Sequence, residues 1–449
     1  MKKPEYTYWS GLIIFLMSLA IQYLVGYRKL CLYVIMAAAV LGLGLSVWKK
    51  SENQTVQKIR MIYPAVLILL CLADLLMHRE FLFFFVHLCA FAAGLFENVW
   101  LLIRNREVWK KAFPGEHVKY VFRCVLIVLT GAVYVILNVM NNDPAKAVRR
   151  MQEAGVNTME YPAQTETVFN KLYRMEKDIV YGTEYPNSTF DLIYPEEGNN
   201  GLVIWMHGGG HIGGDKAAED NSTALYKNCL WEGWAVASVN YALAPEYAYP
   251  VPLKQFDLFM QYITNHYLEL GINLKRVFFA GTGAGAEILT QYAAASLYPE
   301  YAELTGFEPE IQKIPCGMYL ASGLYAPAYG AETGLFLTDY PAYQQLRTYY
   351  GKKDLPLNQT ALNADVFPYI RKGFPPVLLS DGNTGTYTSQ AHRMKEVLEK
   401  AGSLYEALIF DENKDNKDLI YMSFDVQYNT YANAVHGRLM KFLETLSTK

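Results

Sequence analysis

The sequence predicts an all-α transmembrane bundle of about five spans, followed by a mostly parallel β-sheet flanked by helices. Hydrophobic residues make up 52% of the 449 residues and charged residues only 18%, and the apolar ones concentrate in roughly the first 140 positions. Further along, short β-rich runs alternate with longer helical patterns, which is typical of a parallel sheet covered on both faces. The expected division is a bundle over 1–143, a helical linker over 144–177 and an α/β domain over 178–449.

The bundle is predicted from length and apolarity, because a helix needs about 20 apolar residues to cross the hydrocarbon layer. Lys and Arg are more frequent in the connections on the N-terminal side, which predicts a cytoplasmic N-terminus. The expectation is a multi-pass integral membrane protein with the lipid bilayer as a partner and the α/β domain outside the cytoplasm. Asp74 and Glu97 lie within apolar stretches, where carboxylates are costly and often functional, but both are near a span end, where they either reach the headgroups or serve helix packing. The five stretches are 9–27, 30–48, 61–77, 81–103 and 120–140.

Composition excludes several other classes of protein. A net charge of −3 gives no indication of a nucleic-acid partner. The six cysteines show neither CxxC spacing nor a Cys/His pattern, so no metal site or disulfide framework is predicted. No cofactor motif is present.

Five runs in the second part of the chain have the composition of buried strands. A long Tyr-rich stretch, 327–374, separates the third run from the fourth. The runs are 201–207, 234–241, 276–281, 375–381 and 405–411.

Three motifs follow the first three runs in order. They read HGGGHIGGD over 207–215, NYALAPEYAYP over 240–250 and GTGAGA over 281–286. This order and spacing resembles the hormone-sensitive-lipase-like branch of the α/β-hydrolases, which includes bacterial acetyl esterases. Their patterns are HGGG, Y-R-L-A-P-E and G-D-S-A-G-G. The resemblance runs from about residue 178 to the C-terminus, and it implies an α/β-hydrolase fold with esterase or lipase ancestry.

The resemblance also implies a nucleophilic serine on a sharp strand-to-helix turn. The glycines on either side of that position are retained as Gly281 and Gly285, but the position itself is Gly283. Glycine has no side chain and cannot form an acyl-enzyme. Thr282 carries a hydroxyl, but its side chain is expected to point away from the pocket.

The other two triad positions are also altered. In the stretch that matches the acid loop, Gly385 occupies the position of the acid, and Asp381 comes earlier and is expected to cap the strand end. The stretch that matches the base loop, 411–424, contains no histidine. Removal of a single triad member lowers the rate by orders of magnitude, so hydrolysis by the normal mechanism is not expected.

Other parts of the family's site are retained. The resemblance assigns an oxyanion hole to the backbone N–H groups of Gly208, Gly209 and Ala284. It gives His207 and Gly210 a structural role in the HGGG loop. His211 replaces an aromatic residue near the pocket mouth, where it either contacts a ligand or fills the space by packing.

Three hypotheses for function remain open at this stage. The first is a non-catalytic domain that binds an acyl or carboxylate small molecule or a protein partner. The second is an active ester hydrolase or transacylase with a rearranged site that uses Thr282, His211 or Asp381. The third is a membrane protein that works through its bundle, with the hydrolase-like domain as a regulator.

Overall fold

The structure is a computed structural model that describes mainly the second part of the chain. The described residues are 143–155, 173–217, 220–330, 333, 336–410, 419 and 430–447, with four isolated positions at Ile62, Val66, Ile68 and Leu69. The chain divides into two compact units, 1–141 and 142–449. The second unit contains the fold described below.

An eight-stranded sheet forms the centre of this unit, with the strand order β1-β2-β4-β3-β5-β6-β7-β8. Strand β2 pairs antiparallel with β1 on one side and with β4 on the other, and the remaining pairs are parallel. The strands are β1 Met175–Val180, β2 Thr189–Ile193, β3 Gly201–Met206, β4 Trp234–Val239, β5 Val277–Thr282, β6 Gly317–Ala321, β7 Val377–Asp381 and β8 Tyr405–Ile409.

Helices connect the parallel strands and cover both faces of the sheet. The described helices are α1 Pro144–Glu153, α2 Asp220–Trp231, α3 Val251–His266, α4 Ala284–Leu297, α5 Pro299–Thr305, α6 Phe336–Tyr350, α7 Gln359–Asn363, α8 Thr388–Ala401 and α9 Thr430–Ser447. Among the residues that the structure describes, short 3₁₀ turns occur at Pro327–Tyr329, Leu355–Leu357 and Phe367–Tyr369.

The core consists of three clusters of buried side chains. One packs α3, α4 and α8 against a face of the sheet, and the second packs α2 and α9 against the other face. A third and smaller cluster combines side chains of α1 and α6 with the loops after β3 and β4. Strands β3, β4 and β5 are buried along their whole length, which explains why they are continuous apolar runs without alternation.

The mostly parallel sheet flanked by helices confirms the α/β part of the predicted fold class. All five predicted runs are strands, with boundaries within two residues of those expected. The sequence analysis missed β6, whose five residues, GMYLA, include no β-branched residue and so carry a weak strand signal. It also missed the antiparallel pair β1 and β2.

The transmembrane part of the predicted fold class is wrong for the part of the chain that the structure describes, which is the α/β unit. No helix in the described part of the chain combines the length and the apolarity needed to cross a bilayer. Its longest helix, α9, has 18 residues and carries the charged residues Arg438, Lys441 and Glu444. The five apolar stretches, with Asp74 and Glu97, lie outside the described residues except for the four isolated positions. Apolar composition over a stretch was the sole basis for predicting the bundle.

Substitution of Gly285 by alanine should destabilise the fold, because the new Cβ would lie 2.2 Å from the carbonyl oxygen of Met206 and 2.6 Å from that of His207. Both are backbone atoms, so the clash cannot be relieved by a side-chain movement, and we expect a loss of about 2–3 kcal/mol. The matched control is Gly437→Ala in α9, where nothing lies within 4 Å of the new Cβ. There we expect a gain of about 0.5–1 kcal/mol from helix propensity. Thermal unfolding of the full chain measures both, and equal midpoints for the two variants would contradict the packing described.

Candidate functional site

The site region lies at the carboxyl ends of the central strands, where β5 turns sharply into α4. Strand β5 ends at Thr282, and the N–H of Gly283 donates to the carbonyl of Ala321 at the end of β6 over 2.9 Å. Gly283 has φ 51° and ψ −115°, and α4 begins at the next residue. Glycine adopts this conformation readily, whereas a residue with a side chain is strained there. The turn therefore keeps its sharp geometry without the strain that a serine would add.

The first turn of α4 packs directly against the end of β3. The α-carbon of Gly285 lies so close to the carbonyls of Met206 and His207 that no side chain fits between them. This contact brings the glycine-rich loop after β3 alongside the N-terminus of α4. The predicted oxyanion residues Gly208, Gly209 and Ala284 lie on these two segments and are all buried.

His207 holds the glycine-rich loop in place. Its Nδ1 lies 2.8 Å from the carbonyl oxygen of Gly208, and its ring stacks on Tyr241 with 4.3 Å between centroids. Burial lowers the pKa of His207 to about 4, so the ring is neutral near pH 7. The Tyr241 hydroxyl donates to the carbonyls of His207 and Gly208, both at 3.0 Å. These contacts support the structural role that was predicted for His207.

A buried polar network joins this loop to β2 and to the end of β4. The ammonium of Lys216 donates to Asp191 over 2.6 Å and also pairs with Asp178 at 2.7 Å. The backbone N–H of Lys216 donates to Asn240, whose amide donates in turn to Asp215. Burial alone would lower the pKa of Lys216, but its hydrogen bonds to the two carboxylates outweigh that effect and raise it. The loop is therefore anchored at both ends.

His211 is buried and does not lie at an open pocket mouth. Its backbone has φ 64°, in the left-handed region, and its exposed fraction is 1%. The imidazole stacks on Tyr349 of α6, with 3.7 Å between centroids and 7° between planes. The Nε2 atom lies 3.0 Å from Oε2 of Glu287. This arrangement is compatible with either predicted role, so ligand contact by His211 stays a prediction.

Glu287 is the centre of a buried polar cluster, which we define as His211, Glu287, Gln291, Tyr349 and Tyr350. Its side chain is 2% exposed and lies one helical turn after Gly283. Tyr350 O–H and Gln291 N–H both donate to Oε1, and Gln291 also donates to the hydroxyl of Tyr350 over 3.0 Å. Burial, and then the Glu287 carboxylate, raise the pKa values of Tyr349 and Tyr350 well above 10, so both phenols remain protonated donors.

The sequence analysis missed Glu287, Tyr349 and Tyr350. One signal was available for the first of them, because Glu287 is the single charged residue in the otherwise apolar or neutral helix AGAEILTQYAAASL. The two tyrosines belong to the Tyr-rich stretch, whose position over the loop after β3 depends on long-range packing of α6.

The predicted acid position, Gly385, lies in the turn after β7 with φ 60°. The carboxylate near this turn belongs to Asp381, the last residue of β7, which is fully buried. Its Oδ1 accepts hydrogen bonds from Ser322 Oγ at 2.8 Å, Gly382 N–H at 2.8 Å and the Thr386 hydroxyl. Burial raises the pKa of Asp381. Asp381 thus caps the end of β7 as predicted, and its other oxygen, Oδ2, has no hydrogen-bond partner among the described residues.

The remaining predicted positions are placed as follows. Thr282 is buried at the end of β5, and its hydroxyl has no partner in the described part of the chain. Gly210 is partly exposed. The base-loop stretch 411–424 lies outside the described residues except for Leu419, whose N–H donates to Asn383. Within the described ranges, no group of three or more His, Cys, Asp or Glu residues is arranged to hold a metal ion.

This architecture matches known proteins at the level of the fold. A family model described as alpha/beta hydrolase fold matches residues 203–413. The structure of esterase B from Lactobacillus rhamnosis superposes with a TM-score of 0.53 at 16% identity, covering 69% of this chain and 97% of that one. The chain has an esterase-like α/β-hydrolase fold.

The curated relatives are acetyl esterases and are matched over part of their length. The acetyl esterase of Salmonella schwarzengrund is 29% identical over 104 residues, which are 23% of this chain and 32% of that protein. The acetyl esterase of Salmonella agona is 29% identical over 158 residues, which are 32% and 48% of the two chains. The matched segment thus spans 32–48% of the length of these relatives.

Tyr350→Phe removes one donor from the buried carboxylate of Glu287 and leaves the aromatic ring in place. We expect a loss of about 1–3 kcal/mol, because a buried carboxylate oxygen loses a hydrogen bond. Tyr329→Phe is the matched control, because 51% of Tyr329 is exposed and water can replace its hydroxyl contacts. Thermal unfolding of both variants measures the difference. A Tyr350→Phe midpoint equal to that of Tyr329→Phe would show that the hydrogen bond contributes nothing to stability.

Proposed function

We propose that the hydrolase-fold unit binds a small acyl compound without hydrolysing it. The observation that carries the proposal is the turn at Gly283, which keeps the backbone geometry of a nucleophile turn and has no nucleophile on it. The chemistry of an acyl-enzyme needs an oxygen or sulfur atom at this position, and a glycine supplies neither.

The groups that would hold a carbonyl remain. The N-terminus of α4 carries Ala284, whose N–H is one of the free donors of a helix start. Gly208 lies on the adjacent loop, and no acceptor among the described residues is assigned to either N–H. Such fixed donors bind a carbonyl oxygen whether or not a reaction follows.

The stretch that matches the base loop is altered as well. No histidine occurs in 411–424, and the buried Asp381 directs Oδ1 toward Ser322 and Thr386. In this proposal, the carbonyl of a bound ester therefore accepts hydrogen bonds from the backbone N–H groups, but no serine activated by a neighbouring base attacks it. The acetyl esterases to which the chain is similar supply the ligand class, a short acyl ester or a related carbonyl compound.

The full-length protein should show no turnover of p-nitrophenyl acetate above that of the heat-denatured protein, since the step that forms the acyl-enzyme has no nucleophile. The same preparation should bind methyl hexanoate, measured by isothermal titration calorimetry. Turnover that is lost in His211→Phe or Asp381→Asn would overturn the non-catalytic proposal in favour of a rearranged hydrolase. Absence of both turnover and binding would overturn the ligand site itself.

A further inference from the structure

The glycine-rich loop after β3 contains three consecutive residues in the left-handed region of the backbone. Gly209, Gly210 and His211 have φ values of 99°, 60° and 64°. Glycine adopts such angles at little cost, but a residue with a side chain, such as His211, is disfavoured there. A strained residue persists only where its surroundings fix it, so this loop depends on contacts that hold its shape.

Hydrogen bonds within the loop close these residues into a tight turn. The N–H groups of Ile212 and Gly213 both donate to the carbonyl of Gly209, over 3.1 Å and 3.2 Å. The turn is packed so closely that a Cβ on Gly209 would lie 2.2 Å from the carbonyl oxygen of Gly213. The position of Ile212 and the position of Gly209 are therefore coupled.

Helix α1 supplies a side chain that holds this turn from outside the loop. The amide of Gln152 donates to the carbonyl of Ile212 over 2.7 Å and to that of Ala244 over 3.2 Å. Carbonyl oxygens can only accept, so the NH₂ end of the amide faces them and uses both of its hydrogens. Ala244 is itself joined to the turn, because its N–H donates to the His211 carbonyl over 2.8 Å. Gln152 thus connects the loops after β3 and β4 to each other and to α1.

Helix α1 is also held in place by contacts that do not involve Gln152. Its residues Ala147 and Val148 are buried, and Val148 belongs to the third core cluster. On the exposed side of the helix, Arg149 pairs with Glu246 of the loop after β4 at 3.1 Å. An exposed ion pair contributes little to stability, so burial of the apolar residues is the main attachment of the helix. Loss of the Gln152 amide should therefore loosen the two loops and leave α1 in place.

We propose that Gln152 is a positioning residue, which holds the turn over 209–212 in the conformation that directs the N–H of Gly208 to the carbonyl of the ligand. This inference rests on the proposed function, because Gly208 is one of the two donors that the proposal assigns to that carbonyl. Without the amide, the strained loop occupies other conformations as well. The apparent affinity then falls in proportion to the fraction of molecules that keep the binding conformation.

The test compares Gln152→Met with Arg149→Met in the full-length protein. Methionine keeps an unbranched side chain at position 152 and removes the amide. Isothermal titration calorimetry should show that Gln152→Met binds methyl hexanoate about tenfold more weakly than the unaltered protein, as expected when the net contribution of about one hydrogen bond is lost. Arg149→Met is the matched control, because it removes an exposed contact between the same helix and the loop after β4. It should bind within about twofold of the unaltered protein.

Hydrogen–deuterium exchange without ligand measures the state of the loops separately. The N–H groups of Ile212, Gly213 and Ala244 should exchange about tenfold faster in Gln152→Met, because the hydrogen bonds that they make in the two loops open more often. The N–H groups of α1 should exchange at the rates of the unaltered protein. Equal acceleration in α1 and in the loops would show that the substitution detaches the helix, which overturns a specific role of the amide.

The remaining outcomes separate this inference from the proposed function. If Gln152→Met binds methyl hexanoate as tightly as the unaltered protein, or if Arg149→Met loses as much affinity, the positioning role is overturned and the non-catalytic binding site stands. Weaker binding by Gln152→Met with unchanged exchange in the loops also overturns it, because the amide would then act by some route other than the turn. If the unaltered protein does not bind methyl hexanoate, the proposed ligand site fails and the positioning role fails with it, whatever the exchange rates show.

Discussion

The close approach of α4 to the end of β3 determines the arrangement of the whole site. Gly285 packs against the carbonyls of Met206 and His207 at a distance that admits no side chain. Because the two segments are in contact, the glycine-rich loop lies alongside the N-terminus of α4. The turn at Gly283 has to be sharp for α4 to start there, which explains a positive φ at this residue.

Further contacts hold the glycine-rich loop in its position beside α4. His207 and Tyr241 hold the glycine-rich loop at its start, and the Lys216 network connects its end to β2. The loop is joined to α4 and α6 by the buried polar cluster of His211, Glu287, Gln291, Tyr349 and Tyr350.

Much of the fold was predictable from local sequence. The central strands are buried on both faces, so they are apolar runs that stand out from the helical patterns between them. The retained glycines at 281 and 285 located the strand–turn–helix, because those positions need close packing. Strand β6 was missed because Gly, Met and Ala carry little strand preference and its pairing with β5 and β7 supplies the stability instead.

The polar cluster was not predictable in the same way. His211 and Glu287 are 76 residues apart, and Tyr350 is 63 residues from Glu287. Nothing in the spacing of the chain brings these three together, because the contact depends on how α6 packs over the loop after β3. The prediction of a membrane bundle was made from apolar composition alone. Composition does not show how segments of the chain pack against one another.

The most direct measurement is the intact mass of the full-length protein after incubation with a p-nitrophenyl alkylphosphonate, which attaches covalently to a nucleophile held at the turn. Esterase B of Lactobacillus rhamnosis, whose structure has been solved in a phosphonate-inhibited form, provides the positive control. An unchanged mass, with the control fully labelled, is the result expected from a turn with glycine at its apex. A stoichiometric phosphonyl adduct on any residue of the site would contradict it.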